Sequence, residues 1–271
     1  DNDDTLTMYI ENTLESWEHF ENEFNCYIVD SLPQKNKILP YFRGQRDSGW
    51  PLQTTLEQFC PNKDYSVEEY YKILVTIKPS IETYTSKKWD LPETIKREGL
   101  DLSLPPTGYD FMVYCRHHGF PSPLLDWSLS PYVASYFAFA KTEEKKYVSV
   151  YVFMPSLREV LSNYYADIFA LGPLVNSNTV RHSNQKSVYS LYLKLDNENV
   201  FYAKYTDAYR NAQLSGKLIK YNIPAKEKNK VLRKLDAMDI NEYSLFDSED
   251  SLMQTLAYRH IFLPNLPSST I

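Results

Sequence analysis

Glycine is scarce in this sequence, with 7 among 271 residues, where an average globular chain carries roughly 7%. Only glycine tolerates a positive φ freely or lets another backbone approach its Cα closely, so each remaining glycine marks a required conformation. Cysteine is scarcer still, at 3. Cys26, Cys60 and Cys115 show neither a close pair nor a metal-ligand spacing, which predicts reduced, buried thiols and a cytoplasmic setting. Long apolar runs are missing as well. The best of them, Tyr132 to Ala140, has about half the roughly 20 residues a membrane span needs and ends at Lys141, so no membrane partner is expected. Positive charge is in deficit, because 29 Lys and Arg face 35 Asp and Glu for a net charge of −6. That balance argues against a protein devoted to coating nucleic acid, which depends on clustered cations that release counterions. Several signatures are absent too: the phosphate-binding glycine loop, the dinucleotide fingerprint, the Gly-x-Ser-x-Gly elbow and the His-Glu-x-x-His helix. P-loop, Rossmann and zincin chemistry drop out with them, and no metal is expected.

What is present is ordinary globular stock, 43% hydrophobic and 24% charged, with tyrosine abundant at 23. Tyrosine serves half-buried positions, since it buries a ring and keeps a polar tip. Apolar residues at Leu14, Trp17, Phe20 and Phe24 predict a helix over 12–24. Ile38 to Phe42 reads as a short strand ending at Arg43. Ser66 with Glu69 forms a capping-box pattern that opens a helix to about Ile77, which Pro79 should stop. Thr107 is positioned to cap a helix through Arg116, closed by Gly119. Ser130 followed by Pro131 announces the start of the nearly all-apolar helix after it. Strands are expected at 147–154, 187–195 and 217–223, and helices at 225–238 and 251–261. No linker divides the chain, so the expectation is one α+β domain over 1–271, with its core at about 20–262.

The candidate chemistry gathers in two segments. Arg43 ends an apolar strand and precedes one of the few glycines. Two readings stand: a snorkelling edge arginine, or a cleft arginine whose fork meets a carboxylate or phosphate. Gly44 beside it can let a planar ligand lie against the backbone. Asp126 with Trp127 either anchors a turn or forms a polar strand end near Arg43. A buried Arg43 needs an anion, and Asp126 is the expected partner. His117 and His118 are adjacent, roughly 100° apart on a helix, so they cannot share a metal in the usual i, i+4 manner. His117 is left with either a core hydrogen bond or a pocket role. The basic run Lys217, Lys220, Lys226, Lys228, Lys230, Arg233 and Lys234 is either a solvated helix face or a nucleic-acid patch.

Tyr41-Phe42-Arg43-Gly44-Gln45, together with His117-x-Gly-x-Pro-x-x-Leu124-Leu125-Asp126-Trp127-Ser128-x-Ser130-Pro131-x-Val133-Ala134-x-Tyr136-Phe137-Ala138, resembles the FRG domain, named for its Phe-Arg-Gly motif. Arg181-x-x-x-Gln185 and Ser244-Leu245-Phe246 resemble two further elements of that family. The sequence departs from the family pattern at Ser122-Pro123, where Pro-Thr-Arg is usual, at Lys186, where glycine is common, and at Asp247, where proline follows the Phe. A remoter likeness is to ADP-ribosyltransferases, which place an Arg with Gly, then a Ser-rich strand end leading to a helix with a Tyr, then a Glu. Arg43-Gly44, Ser128 and Ser130 with Tyr136, and Gln185 fall in that order. This resemblance implies a split mixed or antiparallel sheet with flanking helices, and NAD as a substrate that is cleaved or transferred to an unidentified macromolecular acceptor. It implies Arg43, Asp126, Ser130 and Gln185 as catalytic residues. It also implies Arg43, Gly44, His117, Ser128, Ser130, Tyr132 and Tyr136 as nucleotide contacts, with Tyr132 or Tyr136 stacking a ring. Gln185 brings no charge to stabilise an oxocarbenium ion, so either turnover is slow, or Asp126 supplies the carboxylate, or the pocket binds a nucleotide without reacting. The alternative class is a non-catalytic nucleotide- or nucleic-acid-binding module.

Overall fold

In the computed structural model, residues 9–30, 39–94, 106–155, 168–171, 183–196, 199–205 and 217–265 are described. The strands are β1 (Ile10–Thr13), β2 (Tyr41–Gln45), β3 (Tyr65–Ser66), β4 (Leu125–Ser128), β5 (Tyr147–Met154), β6 (Ile168–Leu171), β7 (Ser187–Asp196), β8 (Asn199–Tyr202) and β9 (Lys217–Pro224). They join in one mixed sheet of order β1-β9-β5-β2-β4-β7-β8-β3, with β6 paired to β7. The β1–β9 pair is parallel and the other pairs are antiparallel. The helices are α1 (Trp17–Asp30), α2 (Thr55–Phe59), α3 (Val67–Thr85), α4 (Tyr109–His117), α5 (Pro131–Phe139), α6 (Lys228–Ala237), α7 (Glu242–Phe246) and α8 (Glu249–Ala257). The α+β class is as expected.

Strand alternation sorts the apolar residues into layers. Phe42, Val150, Val152 and Tyr221 face one side, where Trp17, Phe20 and Phe24 of α1, Phe139 of α5 and Leu235 of α6 cover them. Farther along the sheet, Tyr189 and Leu191 of β7 meet Tyr70 and Leu74 of α3 and Phe111 of α4. On the opposite face Tyr41, Trp127, Tyr151, Phe153 and Tyr205 form a third cluster. Each large side chain fully buried here contributes on the order of 1.5–3 kcal/mol.

Several boundaries differ from expectation for identifiable reasons. β2 extends through Gln45, so Arg43 lies inside the strand, and Ile38 lies outside the described residues. α3 passes Pro79 and ends at Ser86, which adopts φ 57°. Ile81, beyond the proline, still packs on the second core, and the exposed Pro79 carbonyl accepts from the Thr83 hydroxyl at 2.7 Å. That burial outweighs the one backbone bond proline removes. The capping box at Ser66 and Glu69 is formed as read. Thr107 does not cap α4; Gly108, at φ 78°, is its N-cap and makes no side-chain bond. α1 starts at Trp17 because 10–13 is taken by β1. The 225–238 stretch splits into a 3₁₀ turn and α6. The last helix begins at Glu249 and passes at Tyr258 into a π-helical turn.

β2 meets β5 at five paired positions, from Tyr41–Phe153 to Gln45–Ser149. It meets β4 only at Phe42 opposite Ser128. The sheet is therefore parted beyond that bridge, and the opening lies between the end of α4, α5 and the 50–58 segment.

A candidate nucleotide cleft at the β2–β4 seam

The parted seam opens into a cavity of about 720 Å³ lined by Arg43, Gly44, Arg116, His117, Asp126 and Gln185, with Arg46 and Trp50 also in its wall. That volume lies within the range of small-molecule sites. α4 delivers Arg116 and His117 from its last turn, where cations also complement the helix dipole. Gly119, at φ 87°, ends the helix and turns the chain toward β4.

Alternation along β2 sends Arg43 toward the face of Tyr41, whereas Asp126 lies opposite Tyr189 and faces the helices. The expected Arg43–Asp126 side-chain pair is therefore not formed. The Arg43 guanidinium occupies the seam instead and donates through Nη1 to the Asp126 main-chain carbonyl at 2.7 Å. The Asp126 carboxylate takes Arg116, with Nη2 at 2.6 Å from Oδ2. Of the buried polar atoms without a hydrogen-bond partner among the described residues, four belong to residues that line the cleft: Arg43 Nε, Gln45 Oε1, Arg116 Nε and Asp126 Oδ1. Burial lowers the Arg43 pKa, the Asp126 carboxylate opposes that shift and the Arg116 charge adds to it. Arginine remains protonated regardless, so the cleft wall carries three guanidinium groups, those of Arg43, Arg46 and Arg116, against the one carboxylate of Asp126.

His117 shares a hydrogen bond of 2.6 Å between Nε2 and the Tyr189 hydroxyl, combining its two anticipated roles of core contact and cleft lining. Ser128 lines the cleft, but its hydroxyl donates to the Gln185 carbonyl at 2.7 Å and accepts from the Ser130 N–H at 3.0 Å. Gln185 Nε2 donates to the Leu245 carbonyl of α7 at 3.1 Å. Gly44 has a reason apart from any ligand. A Cβ there would lie 1.9 Å from the Ala134 carbonyl oxygen, so glycine lets α5 rest against β2.

Three expected contacts are not in the cleft wall. Ser130 caps α5, its hydroxyl accepting from the Val133 N–H at 3.3 Å. Tyr132 packs edge-on against Phe24 and near Trp17. Tyr136 donates to Glu242 at 2.5 Å beside a separate cavity of about 220 Å³, and burial with that bond raises its pKa. The helical repeat explains the division. Ala134 and Phe137, three residues apart, face the cleft, and the intervening tyrosine turns away. The residues missed by the sequence reading are Arg116, treated there as the end of a helix, and Trp50. The second signal was legible, since Arg43, Arg46 and Trp50 lie within eight residues of one another.

Three cations of the basic run are paired with carboxylates and a fourth is bonded to the scaffold. Lys220 pairs with Glu11 at 3.0 Å, Lys230 with Glu18 at 2.7 Å and Lys234 with Glu21 at 2.5 Å, while Lys228 donates to the Thr142 carbonyl at 2.8 Å. The run carries no nucleic-acid proposal. Arg181 lies outside the described residues. Among those residues no cluster of three or more His, Cys, Asp or Glu could hold a metal, and no helix is long and apolar enough to cross a membrane. Residues 40–147 match the family model described as the FRG domain, a span that supplies β2, α4, β4 and α5. No curated protein and no solved structure matches.

Proposed function

We propose, from the match of residues 40–147 to the FRG-domain model, that the seam cleft binds NAD and cleaves its nicotinamide–ribose bond. The supporting observation is the convergence in one cavity of two guanidinium groups with unbonded Nε–H donors and a carboxylate with an unbonded oxygen. An unsatisfied buried donor costs about 1–3 kcal/mol, and a diphosphate accepting from both arginines removes that cost with charge-assisted bonds. Asp126 is the anion available to the ribose. As the glycosidic C–N bond breaks, its electron pair leaves with nicotinamide and positive charge develops on the ribosyl carbon. Asp126 Oδ1 stabilises that charge while Oδ2 stays fixed by Arg116. Water, or an acceptor nucleophile, then bonds to the same carbon and releases a proton.

Incubation with NAD and detection of free nicotinamide tests this reading. Asp126→Asn is expected to slow release roughly 100-fold, the scale of one lost preorganised electrostatic contact. Equal rates in the two proteins would remove Asp126 from the chemistry. A second reading, nucleotide binding without turnover, draws on Gln185 and Ser128, whose Nε2 and hydroxyl are already bonded within the scaffold. Saturable ADP-ribose binding with no nicotinamide release would favour it.

A further inference from the structure

Trp50 is 45% exposed, an unusual position for an indole. Its backbone is fastened on both sides. The Trp50 N–H donates to the Asp47 carbonyl at 3.2 Å, and the Asp47 carboxylate accepts from the Gly49 N–H at 2.9 Å and pairs with Lys145 at 2.9 Å. Just beyond, the Pro51 carbonyl accepts from Gln45 Nε2 at 3.1 Å and Leu52 is buried in the third core. The Arg46 guanidinium lies over the indole, 5.6 Å from a ring centroid. Trp50 also lines the same cavity as Arg43 and Arg116. An anchored aromatic face thus stands at the edge of a cleft whose spare donors suit phosphate.

We propose that Trp50 is the stacking platform for the nucleobase, so that the ligand lies with its phosphates at Arg43 and Arg116 and its base at the mouth. This deepens the nucleotide reading and rests on it. Stacking uses the π-face that every base has, so the platform selects nucleotides over base-free sugar phosphates and discriminates weakly among bases. Arg46 supports the ring from its side and adds positive charge near the phosphates.

Calorimetric titration of ADP-ribose and of ribose 5-phosphate into the wild type, Trp50→Ala and Trp50→Tyr proteins tests the assignment. Trp50→Ala should weaken ADP-ribose roughly tenfold and leave ribose 5-phosphate unchanged, while Trp50→Tyr keeps ADP-ribose within about threefold of wild type. In the wild type, ADP-ribose should quench tryptophan emission, and Trp50→Tyr should remove most of that quenching, leaving the part that comes from Trp127 in the same cavity wall; this holds even if Trp50→Ala does not fold. Unchanged ADP-ribose affinity in Trp50→Ala, or parallel weakening of both ligands, overturns the platform alone. A wild type that binds neither ligand overturns the nucleotide reading beneath it.

Discussion

The α5 wall of the cleft and its floor draw on the same two stretches of chain, 43–44 and 116–136, but use their polar groups in opposite ways. On the α5 side the polar groups are committed to the scaffold: Gly44 admits the Ala134 carbonyl and Ser128 ties the end of β4 to Gln185, while Ser130 and Tyr136, turned away from the cleft, cap the helix and bind Glu242. Across the floor Arg43, Arg116 and Asp126 are held by one strong contact each, and each keeps a buried polar atom unbonded. A chemically suggestive residue in the motif is thus not thereby a functional one; spare hydrogen-bonding capacity in a residue that lines the cavity separates the two kinds. Changes in the wall should appear in stability, and changes in the floor in binding.

The largest expected effect lies in the wall. Gly44→Ala would force its new methyl into the Ala134 carbonyl and the Ala138 N–H, both backbone groups that move only with α5. A loss of about 3 kcal/mol or more is expected in urea unfolding. Wild-type stability in this variant would show that α5 does not rest on β2 as described. Ser130→Ala comes next, at about 1 kcal/mol for a lost N-cap, with ADP-ribose affinity unchanged in the folded protein. A selective loss of affinity would move Ser130 into the binding site and blur the division. Lys230, paired with Glu18 and Glu227 outside either region, is the external control. It is 54% exposed, so Lys230→Ala should shift stability by less than about 0.5 kcal/mol and leave nucleotide titrations unaltered.

The elements with strong local codes were legible in the sequence. Alternation gave strand 147–154 with its observed ends, and Ser130-Pro131 and Ser66 with Glu69 gave true helix starts. The misreadings arose where tertiary contacts decide. α3 crosses Pro79 because Ile81 finds the core, and short strands such as β1 exist because an edge of the sheet was available. Six expected site residues, Arg43, Gly44, His117, Asp126, Ser128 and Gln185, do share a cavity. The partner of Asp126 was illegible, because it depends on strand alternation and on how far apart β2 and β4 stand. A charge requirement identified Asp126 as the anion for an arginine and assigned it to Arg43, whereas its carboxylate takes Arg116. The pairing of Lys220, Lys230 and Lys234 in the basic run was illegible for a related reason: their counter-charges, Glu11, Glu18 and Glu21, lie some 200 residues earlier in the chain.

The most direct test of the cleft is a calorimetric titration of ADP-ribose into wild type and Arg43→Gln, with melting curves of both proteins in the same buffer. The substitution removes one guanidinium from the seam while retaining an amide donor for the Asp126 carbonyl. Saturable one-to-one binding to wild type is predicted, weakened at least about tenfold in Arg43→Gln through loss of a charge-assisted phosphate contact, in a protein that still unfolds cooperatively. Equal affinity in the two proteins, or no binding to wild type, would contradict the account and leave Arg43 as a structural clasp between two strands.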